Sequence, residues 1–205
     1  MVKTGRPRAF SRDKAIFDAM MLFWEQGFES TSLSQLREVM GNISAGSFYT
    51  AFESKEKLFK EVIDLYTSTY GRVMLSLKDS SLAPSKAIEL ALRQSAKMQT
   101  DGCHPLGCLT VISASTCSLE HMHIREMLKE ERDLVRSWMS SCIRRAVDQG
   151  ELSSSTDINM LTTFFISFLH GISIQARDGV QLETIDAAIS QIMSIWDTLS
   201  IKNDD

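Results

Sequence analysis

Proline is scarce in this 205-residue chain, occurring only at 7, 84 and 105, and no convincing run of alternating β-branched residues is present. Sheet architectures are therefore not expected, and long helices are left uninterrupted. The four cysteines form no dense disulfide spacing and no C-x-x-C pair, which points to reduced thiols in a cytoplasmic setting. A glycine-rich phosphate cradle, a Ser-His-Asp arrangement and paired catalytic carboxylates are all missing, so enzymes of those classes are not expected. No secretory signal is expected, because the start of the chain is charged and has no apolar run before Arg12. The stretch from Ile158 to Ala176 lacks Lys, Arg, Asp and Glu, yet it carries Asn159, Thr162, Thr163, Ser167, His170, Ser173 and Gln175. That is a poor match to the roughly 20 predominantly apolar residues a bilayer demands, so a buried or subunit-facing helix is the expectation.

What is present is helical pattern throughout and 43% apolar residues, enough for a real core. Charge is uneven although the net value is only −4. Residues 1–60 hold nine Lys/Arg against seven Asp/Glu, and the rest of the chain is acidic. Within the first fourteen residues Lys3, Arg6, Arg8, Arg12 and Lys14 face Asp13 alone. An arm of this kind, with Gly5 and Pro7 discouraging helix, suits phosphates or a minor groove; the alternative is a solvated tail.

Ser32 to Phe52 reads as two short helices joined by a tight turn. Ser32 is a good N-cap with Gln35 as its capping-box partner, and Leu33, Leu36, Val39 and Met40 repeat at helical spacing. Gly41-Asn42 tolerates positive φ and stops the helix. Ser44 caps a second helix whose first turn, Ala45-Gly46-Ser47, is small enough to approach a surface. Such a pair suits a recognition helix entering a DNA major groove, and the alternative is an ordinary helical hairpin within a bundle. A capped helix precedes the pair, with Ser11, Ile16, Phe17, Met20, Met21, Phe23 and Trp24, ending at Gly27-Phe28. Ser54 caps the helix that follows.

AFSRDKAIFDAMMLFWEQGFESTSLSQL and GSFYTAFESKEKLF, within roughly residues 10 to 65, resemble the N-terminal domain of TetR-type transcriptional repressors. The turn departs from the family pattern by one residue, with Asn42 or Ile43 inserted. The resemblance implies an all-α chain with an N-terminal arm and helix-turn-helix DNA-binding domain over 1–60, and an effector-sensing and dimerisation domain over 61–205. It implies a homodimer on palindromic operator DNA. Thr31, Ser32, Tyr49 and Lys55 are then expected near phosphates with Arg6 and Arg8 of the arm, and Ser44, Ala45, Gly46, Ser47 and Thr50 at the recognition end. Tyr49 as a core residue stays open. With no Arg, Asn or Gln on this helix, bidentate base readout is not available.

Further along, the pattern predicts a long helix from about Lys55 to Lys78 and a hinge from Asp79 to Pro84. Next come a helix capped by Ser85 and a loop over Asp101 to Gly107. A short helix from Cys108 to Ser118 and a long one from about His123 to Gln149 follow. The last two helices carry broad apolar faces including Phe164, Phe168, Ile185, Ile189, Ile192 and Trp196. A four-helix interface with a second copy buries them, the alternative being packing within one monomer. The TetR-type resemblance favours the dimer.

Cys108 at a helix start is a candidate reactive thiolate, with Cys117 nine residues on, and the alternative is a small core residue. GCLTV followed by a second cysteine resembles the electrophile-sensing branch of the family, typified by the repressor of N-ethylmaleimide reductase, which implies Cys108 as the responsive thiol. Arg177 is a candidate partner for a thiolate or an anionic effector, and Met98, Trp138 and Phe168 are candidates to line a cavity for a small-molecule inducer. Cys103 and His104 match no zinc spacing, so no metal or other cofactor is expected. A helical thiol redox enzyme using Cys108 is the alternative function, although a clear resolving cysteine is lacking.

Overall fold

The computed structural model describes residues 11–200; Arg6, Arg8 and the rest of the expected arm lie outside them. Among the described residues nine α-helices account for most of the chain, and the architecture is all-α. Four are capped where the sequence puts a serine: Ser11, Ser32, Ser44 and Ser54 accept from the backbone N–H of Lys14, Gln35, Ser47 and Lys57. These caps start α1 (Arg12–Ser30), α2 (Leu33–Val39), α3 (Ala45–Phe52) and α4 (Lys55–Ser68). Each satisfies an otherwise orphaned donor and contributes about 1 kcal/mol.

The expected helix from Lys55 to Lys78 is broken. α4 ends at Ser68, and a 3₁₀ stretch, Tyr70–Lys78, follows. Three successive hydroxyl residues explain the break, because Thr67 and Ser68 donate to Asp64 O and Thr69 donates to Leu65 O at 2.6 Å, giving the backbone an alternative to helix just before Gly71. α5 (Pro84–Gln99) begins earlier than expected: Ala83 holds the cap position and Pro84 the first helical one, not Ser85 as cap. Proline pre-sets the helical φ and needs no donor there. The segment expected as one helix from Cys108 to Ser118 yields only four α-helical residues, α6 (Leu109–Ile112), followed by 3₁₀ turns at Ser113–Thr116 and Leu119–His121. α7 (Met122–Asp148), α8 (Ile158–Arg177) and α9 (Leu182–Leu199) complete the body.

Two apolar cores result. The head core stacks Phe23, Trp24, Phe28, Phe48, Phe52 and Phe59, all but closed to solvent. It does not stop near residue 60, since Tyr66 of α4 and Leu109, Ile124 and Leu128 of the body pack into it. The body core joins α5, α7, α8 and α9 around Ile88, Met139, Phe165 and Trp196. Ile185, Ile189 and Trp196, expected at a subunit interface, are buried in this core of the single chain. Phe164, Phe168 and Ile192 are only partly covered, and Met160 and Ile174 on α8 stand 50% and 51% exposed. α8 is long and apolar enough to cross a membrane by length and composition, with a mean hydropathy of 1.2. Leu161, Phe165, Ile166, Leu169 and Ile172 along it are nonetheless buried in the body core, as in a core helix.

Candidate DNA-binding surface and effector cavity

The turn between α2 and α3 runs through two successive left-handed positions, Gly41 at φ 88° and Asn42 at φ 60°. Their N–H groups both donate to Glu38 O, and Ile43 N donates to Arg37 O at 3.2 Å. Arg37 then reaches across, its Nε donating to Ile43 O at 2.9 Å. Bonds from both sides fix the angle at which α3 leaves α2. This buttress was not legible, because an arginine on α2 reads as a solvated charge.

α3 is anchored by Phe48 and Phe52 and presents the opposite face outward. Gly46, Ser47, Tyr49 and Thr50 are exposed, Ala45 is half-covered, and the Thr50 hydroxyl donates to Gly46 O at 2.8 Å. Tyr49 is 52% exposed and packs only a ring edge on Phe48, so the core reading of it is set aside. Ser44 is exposed, and its Oγ is engaged as the cap. Ser32 is exposed beside them and closes its capping box with Gln35, whose Oε1 accepts from Ser32 N at 2.8 Å.

Two expected phosphate ligands are turned inward. Thr31 is 1% exposed and donates to Gly27 O at 2.7 Å, because the helical backbone breaks at Gly27 (φ 80°) and that carbonyl needs a donor. Lys55 folds back over the head, its ammonium 4.2 Å from the Phe28 ring centroid. Partial burial pushes its pKa down against the pull of Glu29 and Glu56. Arg12, counted with the basic arm, is tied by two 2.7 Å bonds to Glu61.

In the body, a cavity of about 390 Å³ opens between α4, α5, α6, α7 and α8. Met98, Cys108 and Trp138 line it as expected; Phe168 does not, packing on the body core instead. Sequence reading missed Tyr66 and Arg132. The Tyr66 hydroxyl donates to Cys108 Sγ at 3.3 Å, and Thr110 Oγ1 lies 3.2 Å from the same sulfur. Burial, then the neighbouring thiol, drives the Tyr66 pKa well up, so it stays a donor. Arg132 donates to Thr110 O at 2.8 Å, and burial pushes its pKa down. α6 is too short to give Cys108 the helix dipole expected of it; the Tyr66 and Thr110 hydroxyls meet the sulfur instead. His170 is also at the cavity, its pKa pushed down by burial and then by the fields of Arg132 and Arg136.

Cys117 is not brought to the cavity. It packs against the head core, donates to Ser113 O at 3.3 Å, and has its pKa raised by burial and by Glu29. Arg177 is likewise away from the thiol: it donates to Leu106 O, Glu25 O and Trp24 O at 3.1, 3.2 and 2.6 Å. Among the described residues no three His, Cys, Asp or Glu side chains gather as a metal site requires.

Comparison with known proteins identifies the family. The family described as bacterial regulatory proteins, tetR family, matches residues 17–62, and the tetracyclin repressor-like C-terminal domain matches 88–192. The HTH-type transcriptional repressor ComR of Escherichia coli K12 is 30% identical over 199 residues, covering 95% of this chain and 93% of ComR. BdcR of the same organism, also an HTH-type transcriptional repressor, is 26% identical over 89% of this chain and 87% of its own length. Among solved structures, a cysteine mutant of the TetR family transcriptional regulator CifR, complexed with 26 bp double-strand operator DNA, is 36% identical. It matches with a TM-score of 0.86 over 93% of this chain and 100% of that one. The reduced form of E. coli NemR, at 19% identity and a TM-score of 0.73, shares the fold. With matches to both halves and helix-turn-helix relatives along almost its full length, the chain belongs to the tetR family of bacterial regulatory proteins.

Proposed function

We propose that this chain is a cytoplasmic, homodimeric transcriptional repressor that binds a palindromic operator and leaves it when a small electrophile modifies Cys108. The observation that carries the DNA-binding reading is α3: a capped helix held out on Phe48 and Phe52, with Gly46 and Ser47 exposed in its first turn and Thr50 in its second. Its likeness to CifR, solved on operator DNA, supports the same use here. Two such helices in a dimer address sites about one helical turn, ~34 Å, apart, hence inverted repeats. Small side chains favour van der Waals contacts, backbone donors and DNA shape over bidentate readout. Much of the affinity then falls to the basic arm with Arg6 and Arg8. For pairing, α8 and α9 offer partly covered Phe164, Phe168 and Ile192 together with exposed Met160 and Ile174.

The input reading rests on Cys108 in the cavity. The sulfur bonds to the electrophilic carbon as the S–H bond breaks. With an activated alkene the C=C π bond opens and the α carbon takes up a proton; with an alkyl halide the carbon–halogen bond breaks, halide leaving and the thiol proton passing to water. The new group takes cavity volume and breaks the Tyr66 bond, and Tyr66 lies on α4, whose first residue is packed under the head. On this reading the chain works as the electrophile-sensing branch of the family does. Non-covalent filling of the same cavity is a second reading, favoured by its apolar wall of Val73, Met74, Leu134 and Val135. A thiol redox enzyme is not favoured, because Cys117 bonds Ser113 O and packs on the head rather than serving Cys108.

Footprinting on the DNA upstream of the protein's own gene tests the DNA-binding reading. Protection of an inverted repeat by two copies of the chain is expected. Absence of any sequence-selective protection, there or across a genomic fragment library, sinks the proposal.

A further inference from the structure

The segment that carries Cys108 is fastened to the DNA-binding head at both ends, and both fastenings fall on the last turns of α1. At its start, the Trp24 indole Nε1 donates to Gly107 O at 3.1 Å. His104 stacks on the Trp24 ring at 4.4 Å. Arg177, from the end of α8, ties Leu106 O, the residue just before Gly107, to Trp24 O and Glu25 O of α1. α1 leaves helical geometry at Gly27, where carbonyls of the preceding turn need outside donors, and a fork with five N–H groups supplies them. Gly107 has no slack, since a Cβ there would lie 2.9 Å from Ser173 O.

At the far end, Glu29 Oε1 accepts from Ser118 N at 2.8 Å and Ser118 Oγ at 2.7 Å, and His121 Nδ1 lies 2.8 Å away. The His121 ring also meets Phe28 edge-on at 5.1 Å. Between these staples the chain is four α-helical residues and short 3₁₀ turns, which resist stretching less than a long helix does. Three residues past Glu29 stands Ser32, the cap of α2, so a shift of α1's end moves the helix-turn-helix directly.

We propose that Gly107–His121 is a strap, and that Arg177 and Glu29 are the positioning residues through which modification of Cys108 displaces α1 and the DNA-binding head. This rests on the reading of Cys108 as the sensor and adds a route through α1 to the one through Tyr66 and α4. Arg177→Lys keeps the charge but cannot span three carbonyls, and Glu29→Gln keeps the shape while weakening the acceptor. Neither residue is on the α3 surface.

The test is a coupling ratio, the operator Kd of Cys108-carbamidomethylated protein over that of unmodified protein, measured in a Cys103→Ser, Cys117→Ser background. Iodoacetamide is the probe, with modification verified by mass and folding by thermal melt. The parent ratio is expected at tenfold or more, falling below about threefold in each variant while unmodified operator affinity stays within about threefold. An undiminished ratio in both variants overturns the strap and leaves α4 as the sole route. A parent ratio near one, with operator binding intact, removes Cys108 as sensor and the strap with it. Loss of operator binding in both folded, unmodified variants overturns it too, making the staples part of the head itself.

Discussion

Head and body solve opposite problems with the same helical material. In the head, each helix start is fixed by its own serine and each inner face by large aromatic rings, so α3 sits on a surface that does not yield. In the body, the segment around Cys108 is short turns over a cavity, held by a few long-range polar bonds. The contrast teaches that the head surface is built from local rules, while the segment around Cys108 is built from long-range bonds that can be made and broken at low cost.

Breaking the rigid side is the largest effect. Phe48→Ala removes a fully buried ring beneath α3 and is expected to cost about 3–5 kcal/mol in urea unfolding, with loss of operator binding. A change below about 1 kcal/mol would mean that α3 does not depend on that anchor. Gly107→Ala sharpens the other side: φ 81° and a close backbone oxygen predict a loss of about 2–3 kcal/mol. Normal stability would show that Gly107 does not lock the strap onto α8.

Acid titration separates the two at their junction. Partial burial pushes the Glu29 carboxyl upward, but the hydroxyl and N–H of Ser118, then His121, outweigh it and hold the pKa at about 2 against an ordinary 4.5. A lowered carboxylate contributes stability that is complete above pH 4.5 and is lost as pH falls towards about 2. Glu29→Gln is expected to remove about 1–2 kcal/mol at neutral pH, after allowance for solvent screening, and to flatten that acid limb. An unaltered acid limb would show the junction to be solvated and loose. The smallest effect is a gain: Glu53 ends α3 at φ 62°, so Glu53→Gly should add about 0.5–1 kcal/mol, less the exposed Lys57 pair, in a thermal melt.

The same division governs what could be read from the chain. Ser11, Ser32 with Gln35, Ser44 and Ser54 are local signals, and each starts the helix it announces. Thr31 and Lys55 obey the same local pattern yet face inward, because Gly27 O and the Phe28 ring claim them from other turns. Tyr66 on Cys108, 42 residues away, and Arg177 on Trp24, 153 residues away, carry no sequence spacing to find. Arg177, expected as a partner for a thiolate or an anionic effector, instead donates to three backbone carbonyls. The break at Thr67-Ser68-Thr69 was legible in principle, three competing hydroxyls before a glycine, but the apolar period continued across it.

The central claim is that Cys108 carries the signal from body to head. Its most direct test is operator affinity before and after a thiol electrophile, for the native chain and Cys108→Ser in parallel. The account predicts a ten- to hundredfold loss in the native chain, a coupling of a few kcal/mol, and no loss in the variant. Equal loss in both, or none in either, would contradict it.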